Sequence, residues 1–443
     1  MSKHFRPWKI DQTQLLPASV TDYVPEGHLS RFIVALVRES LDLREIEAGY
    51  TSPLGQPPFD PRLMVALLLH AYASGIYSSR RIARACGERT DFMMIAAGDP
   101  PDFRTISDFR KRHLAALAGL FVQVLRLCEK AGLVKLGHVA LDGTKIKANA
   151  SKHKAMSYAG MRKREAELQA EVDRWLAAAE AADAEEDRAH GTRRGDEMPR
   201  WVADKQKRLA KIKAAKAELE AEAKAAAEEE RRLRAEAEEK WIAEGRKKNG
   251  KDPAPPSEAP DPKAQKSFTD PESRILKTKD GFIQGFNAQA AVDGEAQVIV
   301  AHGLTQSTSD QDQLTGLIDG IATNLGRGPK EASADAGYCS EANLQALRDR
   351  GVAAYVATGR AKHASDDERR RGGPLTQAMR RKLKRAGWRS RYRLRKQIVE
   401  PVFGQIKQAR GFRQFMLLGV EQVRAEWALV CIAHNFAKLA KAA

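Results

Sequence analysis

Between residues 24 and 134, apolar residues recur at helical spacing, and short polar turns separate the apolar segments. One helix is predicted to begin at Asp60-Pro61, where an Asp cap and a Pro in the first turn precede a thick apolar stripe. Further helix starts are predicted at Ser78-Ser79 and at Pro100. This pattern predicts an all-α domain over residues 1–134.

Basic residues are expected on the outside of these helices. They are Arg80, Arg81, Arg84, Arg104, Arg110 and Lys111. Short helices with tight turns and a basic face are typical of helix-turn-helix DNA binding, for which Arg80, Arg81 and Arg84 are the candidate contacts. A plain helical bundle with a solvated basic face has the same pattern, so the pattern alone leaves both interpretations open.

The pattern changes to strands after residue 134. GHVALDGTKIKANA predicts a first strand that ends at Asp142-Gly143, and two more strands form a predicted hairpin around Asp293-Gly294. KEASADAGYCS predicts a fourth strand that ends at Asp335, Ser340 is predicted to cap the next helix, and AAYVATG predicts a fifth strand. A hairpin followed by strand-helix alternation predicts an α/β domain with a mixed sheet.

A segment rich in Ala, Glu, Lys and Arg interrupts these strands at residues 152–266. It predicts an antiparallel pair of long helices with a junction at residues 190–199, followed by a Pro-rich linker at residues 247–263. Its apolar spacing is too irregular for a coiled coil. Strand signals resume directly after it, so we interpret it as an insertion. A solvated hairpin, a clamp on DNA and a dimer contact remain open as its role.

The charge of the chain favours a nucleic acid as its partner. The 443 residues carry a formal net charge of +17. No run of about 18 apolar residues exists to span a bilayer, and the Arg clusters lack the large apolar face of a membrane-surface helix. The N-terminal residues lack the apolar segment of a signal peptide, and the four cysteines have neither zinc-site nor disulfide spacing, which predicts a cytoplasmic protein.

Glu400 is the only acidic residue between Glu368 and Glu421, in the most basic stretch of the chain. Its basic neighbours are Arg369, Arg370, Arg371, Arg380, Arg381, Lys382, Lys384, Arg385, Arg389, Arg391, Arg393, Arg395, Lys396, Lys407, Arg410 and Arg413. Such a run is typical of a surface for phosphodiester backbone, and a carboxylate within it indicates a Mg²⁺ ion that binds acid and phosphate together. The alternative is a chance acid that Lys396 or Lys407 neutralises. Because Pro401 lacks an N–H, a helix is expected to start or kink near Glu400.

Asp142 and Asp335 are the other candidate metal ligands. Both are expected at the carboxyl ends of neighbouring strands, where open α/β sheets bind their ligands. Asp is also a common turn residue at a strand end, which is the alternative for each. Asp310 and Asp312 are closest to these residues in type and place, but their position before LTGLIDGI predicts helix capping.

The motifs LDGTKIKANAS, SADAGY and RKQIVEPVFGQIKQARGFRQF, in this order, resemble those of bacterial insertion-sequence transposases with a DDE catalytic domain. FDPRLMVALLLHAYASGIYSSRRIARAC, PDFRTISDFRKRH and TDPESRILKTKDGFIQGFNAQAAVD resemble the same family, so the resemblance covers nearly all of the chain except the insertion. It implies an RNase H-like catalytic domain over residues 135–443, with the insertion between its first two strands.

The resemblance also implies the chemistry. The triad would be Asp142, Asp335 and Glu400, which would hold two Mg²⁺ ions, with Mn²⁺ as a substitute. Hydrolysis would free a 3′-OH at each transposon end, and that 3′-OH would attack target DNA. The partners implied are double-stranded DNA, as transposon ends and target, and further copies of the chain in a homo-oligomer.

The family's glutamate helix often bears Tyr, Arg, Glu and Lys at fixed spacing. In this sequence Lys407 matches, Lys396 takes the Arg place, and Arg393 takes the Tyr place beside Tyr392. Lys407 and the neighbouring arginines would position phosphates without reading sequence; the full set of candidate contacts here is Arg389, Arg391, Arg393, Arg395, Lys396 and Lys407.

Two other functions remain open at this stage. One is a transposase-derived DNA-binding protein without catalytic activity. The other is a metal-dependent nuclease on the same fold that cuts DNA but never joins it. Joined products would separate a transposase from both.

Overall fold

The computed structural model describes residues 19–51, 57–151, 154–190, 200–243, 254–278, 281–359 and 372–442. Three parts of the sequence discussed above lie outside these residues. They are residues 191–199 of the predicted helical junction, residues 247–253 of the predicted linker, and Arg369, Arg370 and Arg371 of the basic run.

The N-terminal part of the chain is helical, as predicted. Its helices are α1 (Leu29–Glu39), α2 (Arg44–Glu47), α3 (Pro61–Ala73), α4 (Ser79–Glu88), α5 (Thr90–Ala96), α6 (Phe103–Arg112) and α7 (Leu114–Lys130). The Asp60 carboxylate accepts the Arg62 N–H at the start of α3, which confirms that start. Helix α6 begins at Phe103 rather than at Pro100, because the Asp102 carboxylate accepts the N–H groups of Arg104 and Thr105.

Arg110 is buried, and its prediction as an outer residue is wrong. Its side chain donates to the Tyr77 carbonyl at 2.9 Å and to the Tyr72 hydroxyl at 3.2 Å. The same hydroxyl donates to the buried Glu426 carboxylate at 3.0 Å. A buried guanidinium needs such partners, so Arg110 stabilises the packing of this region and is not accessible to DNA. The other five basic residues predicted with it are exposed.

A six-stranded mixed sheet forms the centre of the rest of the chain. Its strands are β1 (His138–Lys147), β4 (Arg274–Thr278), β5 (Gly281–Asp293), β6 (Ile299–Thr305), β7 (Glu331–Ala334) and β8 (Ala353–Val356). Strands β2 (Ala155–Ser157) and β3 (Gln265–Ser267) form a separate two-stranded sheet. In the central sheet β5 runs antiparallel to β1, and β7 and β8 run parallel to it in the order β5-β1-β7-β8. Strands β4 and β6 pair with successive parts of the other edge of β5. The order β6-β5-β1-β7-β8 with these directions is an RNase H-like sheet, as expected.

The β5–β6 hairpin and two helices beside this sheet are confirmed. Strands β5 and β6 form the predicted hairpin, although the connection runs from Gly294 to Val298, longer than a two-residue turn. Helix α10 (Leu314–Leu325) follows β6, and the Ser340 hydroxyl caps α11 (Glu341–Asp349) by accepting the Asn343 N–H.

The insertion lies in the chain between β1 and β5 and contains two long helices, as predicted. They are α8 (Tyr158–His190) and α9 (Arg200–Ala243), and the antiparallel pair β2–β3 forms their base. Near this base Met161 and Leu168 of α8 pack against Leu209 and Ile212 of α9. The Lys266 ammonium contacts the Glu222 carboxylate at 2.8 Å, which ties α9 to β3.

Three further helices complete the described chain: α12 (Pro374–Ala386), α13 (Leu394–Gly404) and α14 (Val420–Ala442). Helix α14 packs against α3, α7 and β6, and so joins the N-terminal helices to the sheet. None of the helices described combines the length and the apolarity needed to cross a membrane.

Helix α13 does not start near Glu400, so the prediction of a start there with Pro401 in the first turn is wrong. The helix begins at Leu394 and continues through Pro401 to Gly404. A proline in a helix leaves the carbonyl four residues earlier without its donor. That carbonyl belongs to Gln397, and it accepts the Gln297 side-chain amide at 2.8 Å. The sheet side of the molecule thus supplies the missing hydrogen bond.

Candidate active site

Asp142 and Asp335 lie beside each other at the edge where β7 ends. The parallel register pairs Ala140 with Ser333, two residues before each acid. The prediction that the first strand ends at Asp142 is wrong. Asp142 lies in the middle of β1, because β5 pairs with β1 as far as Lys147. The crevice therefore arises where β7 stops and β1 continues.

Asp142 is largely buried, and its pKa is raised. Its side chain is 16 % exposed, and its carboxylate contacts the Arg395 guanidinium at 2.6 Å. Burial, together with the neighbouring carboxylates of Asp335 and Asp310, raises the pKa of Asp142 to about 7 against the attraction of Arg395. A carboxylate that titrates near neutral pH is typical of a catalytic or metal-binding position.

Asp335 follows β7 directly and is oriented by its own turn. Its carboxylate accepts the Gly337 N–H at 2.9 Å. Burial raises the pKa of Asp335, the Gly337 N–H opposes this, and the charge of Asp310 adds to the rise. The two aspartates are therefore like charges in one poorly solvated crevice.

Glu400 approaches the same crevice from α13, which packs against β1. Its side chain is 46 % exposed, and its carboxylate contacts the second Nη atom of Arg395 at 3.1 Å. One guanidinium thus bridges Asp142 and Glu400, two acids that are 258 positions apart in the sequence numbering. The partner of Glu400 is Arg395, so the alternative in which Lys396 or Lys407 neutralises it is wrong.

Asp310 is a fourth carboxylate in this crevice, and its predicted role as a helix cap is wrong. It makes no side-chain capping hydrogen bond. One of its oxygens, Oδ1, accepts the side-chain amides of Asn287 at 2.7 Å and Gln289 at 2.6 Å instead. Both amides come from β5, and the signal for them was two polar residues at alternate positions of an otherwise apolar strand. Asp312 is exposed, and no capping bond from it is found at α10 either.

Two glycines make room for these acids. A side chain at Gly143 would begin 2.7 Å from Asp310 Oδ1. A side chain at Gly337 would begin 3.1 Å from Asp335 Oδ1 and 3.2 Å from Asp310 Oδ2. At Gly143 a Cβ has no room, and at Gly337 it would crowd both carboxylates, so glycine at these positions leaves space beside the acids.

The donor set fits a hard divalent cation. Mg²⁺ prefers carboxylate oxygens, and the space at the two glycines is lined by them. The Arg395 guanidinium already acts as a cation between two of the acids. In the described part of the chain no three acidic, His or Cys side chains close around a single point. In this conformation the positive charge of Arg395 balances the negative charges of Asp142 and Glu400.

Lys407 lies close to the acids but does not face open solvent. Its ammonium donates to the Lys145 carbonyl on β1 at 2.9 Å. Burial lowers the pKa of Lys407, Arg413 lowers it further, and the charge of Asp142 opposes both. Lys407 belongs to a π-helical turn, Gln405–Ala409, that directly follows α13.

The remaining candidate DNA contacts are spread over the surface. Arg389, Arg391, Arg393 and Lys396 are exposed, and Arg391 contacts Glu331 at 2.7 Å. In the N-terminal region Arg80, Arg81 and Arg84 are exposed too. Arg80 lies over the Phe103 ring, and Arg84 contacts Glu88 at 2.7 Å. Their role on DNA stays a prediction.

Two family models match this chain. The model of the transposase DDE domain matches residues 256–436, and a second transposase domain, DUF772, matches residues 18–112. Neither the curated proteins nor the solved structures contain a match to the chain. The first match includes Asp310, Asp335 and Glu400, whereas Asp142 precedes it on the far side of the insertion. With an RNase H-like sheet and a crevice of acids on it, the chain belongs to the insertion-sequence transposases with a DDE domain, which are enzymes that act on DNA.

Proposed function

We propose that this transposase cleaves DNA at transposon ends and joins the freed 3′-OH to target DNA, at a centre formed by Asp142, Asp335 and Glu400. The observation that carries the proposal is the convergence of three acids from separate parts of the chain. Asp142 and Asp335 adjoin on the sheet, and Arg395 links Asp142 to Glu400. The membership of Asp142 rests on this geometry and on the LDGTK motif, because it lies outside the matched segment.

Asp142, Asp335 and Glu400 would hold the cations. Two Mg²⁺ ions, for which Mn²⁺ substitutes, would supply an activated attacking oxygen and stabilisation of the leaving oxygen. Asp142 must be ionised to bind a cation, and its pKa of about 7 means that it gives up a proton to do so near neutral pH.

The two chemical steps balance without an external energy source. In the first, a water oxygen attacks the phosphorus, the bond to the 3′-oxygen breaks, and that oxygen takes a proton. In the second, the freed 3′-OH attacks a phosphodiester of the target, and a target 3′-OH leaves with the proton. One bond of the same kind forms as another breaks, so a single set of acids serves both steps.

Arg395 would change partners during this cycle. In the structure it neutralises Asp142 and Glu400. When the acids bind cations, its guanidinium is freed beside the scissile position, where a phosphate suits its bidentate geometry. Lys407 would stay bound to the β1 backbone and hold the turn after α13, Gln405–Ala409, against the sheet.

Binding of DNA would use two groups of residues. Arg389, Arg391, Arg393 and Lys396 would contact phosphates near the centre, and residues 1–134, with Arg80, Arg81 and Arg84, would recognise the transposon ends. Residues 135–443 would form the catalytic domain, interrupted by the insertion at residues 152–266. Because two ends must be joined to one target, the active form is proposed to be a homo-oligomer.

A cleavage and joining assay tests the proposal. The purified full chain would be mixed with DNA that carries the element's own ends, a target plasmid, and Mg²⁺ or Mn²⁺. Glu400→Gln removes the proposed ligand, and Glu421→Gln is the matched control, because Glu421 is an exposed acid paired with Arg424. We expect cut and joined products from wild type and Glu421→Gln, and none from Glu400→Gln.

The other outcomes identify the two alternatives. Cutting without joining would indicate a nuclease, and binding without cutting would indicate a DNA-binding protein derived from a transposase. Equal activity in wild type and Glu400→Gln would remove Glu400 from the centre. A filter-binding measurement on the same samples would show that the Glu400→Gln protein still binds DNA.

A further inference from the structure

Asp310 has a fixed orientation that its place in a loop does not explain. Residues before a helix commonly accept a backbone N–H, and Asp310 does not. Its Oδ1 accepts two side-chain amides, and its Oδ2 lies with Asp335 Oδ1 at the space kept open by Gly337. The side chain is therefore held so that one oxygen lies at the same space as the Asp335 carboxylate.

The residues that hold Asp310 are themselves buried and connected. Asn287 is 1 % exposed and Gln289 is 0 % exposed, both on β5. The Tyr338 hydroxyl, which is also fully buried, donates to the Gln289 side-chain oxygen. Burying two amides and a phenol costs free energy unless each is hydrogen-bonded, and here Asp310 completes the set. In metal sites, hydrogen bonds of this kind fix the orientation of the carboxylates that bind the ion.

Asp310 is also placed against like charges. A Cβ at Gly337 would lie 3.2 Å from Asp310 Oδ2 and 3.1 Å from Asp335 Oδ1, so oxygens of both carboxylates line the same small space. Among the described residues no ion pair compensates Asp310, whereas Arg395 compensates Asp142 and Glu400. The amides stabilise the charge of Asp310, but they leave the repulsion between neighbouring carboxylates, which a cation between them would remove.

We propose that Asp310 is a fourth carboxylate of the catalytic centre, and that it binds, together with Asp335, one of the divalent ions of the reaction. The centre would then have four acids from four segments: β1, the loop after β6, the end of β7, and α13. Only the part of this inference that concerns cleavage rests on the proposed function, because metal binding is measurable without DNA.

Metal binding tests the inference directly. Mn²⁺ binding to the full chain would be measured by titration calorimetry and by electron paramagnetic resonance, for wild type, Asp310→Asn and Asp312→Asn. Asp312 is the matched control, since it is an exposed acid two residues away. We expect Asp310→Asn to weaken Mn²⁺ binding by about 10-fold or more, and Asp312→Asn to leave it unchanged.

A thermal unfolding measurement in EDTA separates a ligand from a structural residue. Removal of a charge that repels Asp142 and Asp335 should leave the melting temperature of Asp310→Asn equal to or above that of wild type. A lower melting temperature with unchanged Mn²⁺ affinity would overturn the inference and give Asp310 a structural role. If Asp310→Asn does not fold, Asp310→Glu moves the carboxylate by one methylene group. Weaker Mn²⁺ binding is then expected, and binding equal to that of wild type would overturn the inference.

Cleavage of transposon-end DNA provides the second readout. We expect Asp310→Asn to cleave more slowly than wild type at low Mg²⁺ and to regain part of its rate at high Mg²⁺. Wild-type rates at all Mg²⁺ concentrations, with wild-type Mn²⁺ binding, would overturn the inference. If the wild type itself does not cleave, the proposed function fails, while the Mn²⁺ titration still decides the role of Asp310.

Discussion

Replacing Asp142 with Asn should stabilise the metal-free protein at neutral and alkaline pH, although Asp142 belongs to the proposed catalytic centre. The reason is that burial raises its pKa from 3.8 to about 7 in the folded chain, so the fold disfavours its ionised form. Asn keeps nearly the same shape and carries no charge. The cost of the buried carboxylate is therefore absent from the variant.

The pH window follows from the two pKa values. Between 3.8 and about 7 the folded state holds more protons at Asp142 than the unfolded state does. The free energy of unfolding of the wild type therefore falls as pH rises through this window, and the loss is complete above it. A pKa that moves from 3.8 to about 7 corresponds to at most about 4 kcal/mol. The advantage of Asp142→Asn should be absent near pH 4 and reach this limit near pH 8.

Urea unfolding in EDTA at several pH values would measure this advantage by intrinsic fluorescence. Asp91→Asn is the control with the opposite sign. Burial alone would raise the pKa of Asp91, but hydrogen bonds from His70 and Arg89 hold it well below its usual range. That variant should therefore lose stability near neutral pH. An Asp142→Asn protein that is less stable than wild type near pH 8, or whose advantage does not change with pH, would refute the reasoning.

Three further predictions concern the charged residues. Arg395→Gln should bind Mn²⁺ more tightly than wild type, because a competing cation is removed; a calorimetric titration in which it binds more weakly than the exposed control Arg393→Gln would contradict this. Arg110→Met should lower the free energy of unfolding by roughly 3 kcal/mol, because it leaves the buried Glu426 without a compensating charge. Urea unfolding checks this, with exposed Arg104→Met as a control that should change little. Charge removal on the exposed face of α12 should reduce the salt dependence of DNA binding by about 0.9 in slope for each phosphate that the variant no longer neutralises, and an unchanged slope would take this face off the DNA. The residues to change are Arg381, Lys384 and Arg385.

The sequence allowed prediction of the elements whose signals are local. Asp60 before Pro61 and Ser340 before α11 are caps that act on N–H groups a few residues away, so they are visible in a short window. The β5–β6 hairpin and the strand before Asp335 follow from alternation and turn residues in the same way. The insertion was found because its composition differs from that of the chain around it.

The features that could not be predicted from the sequence depend on contacts between distant segments. The length of β1 beyond Asp142 is set by its pairing with β5, more than a hundred residues later. Pro401 is tolerated inside α13 because Gln297 supplies a donor from another segment. Arg110 was predicted on a basic face, yet Tyr72 and Tyr77 hold it inside. No window of local sequence contains these partners.

The same property makes the acids of the crevice costly to the fold and useful to the proposed reaction: their negative charges are gathered where water is scarce. Burial raises the pKa of Asp142, of Asp335 and of Tyr338, so the folded chain disfavours the negative charges that it brings together. Arg395 offsets part of this cost at Asp142 and Glu400, whereas Asp310 is bonded to two amides and, within the described ranges, to no cationic side chain. In the proposed centre, a bound cation would offset this free energy, because Asp142 would give up its proton and Arg395 would leave both acids. The freed guanidinium is then available to a phosphate, so cation binding and DNA binding should favour each other.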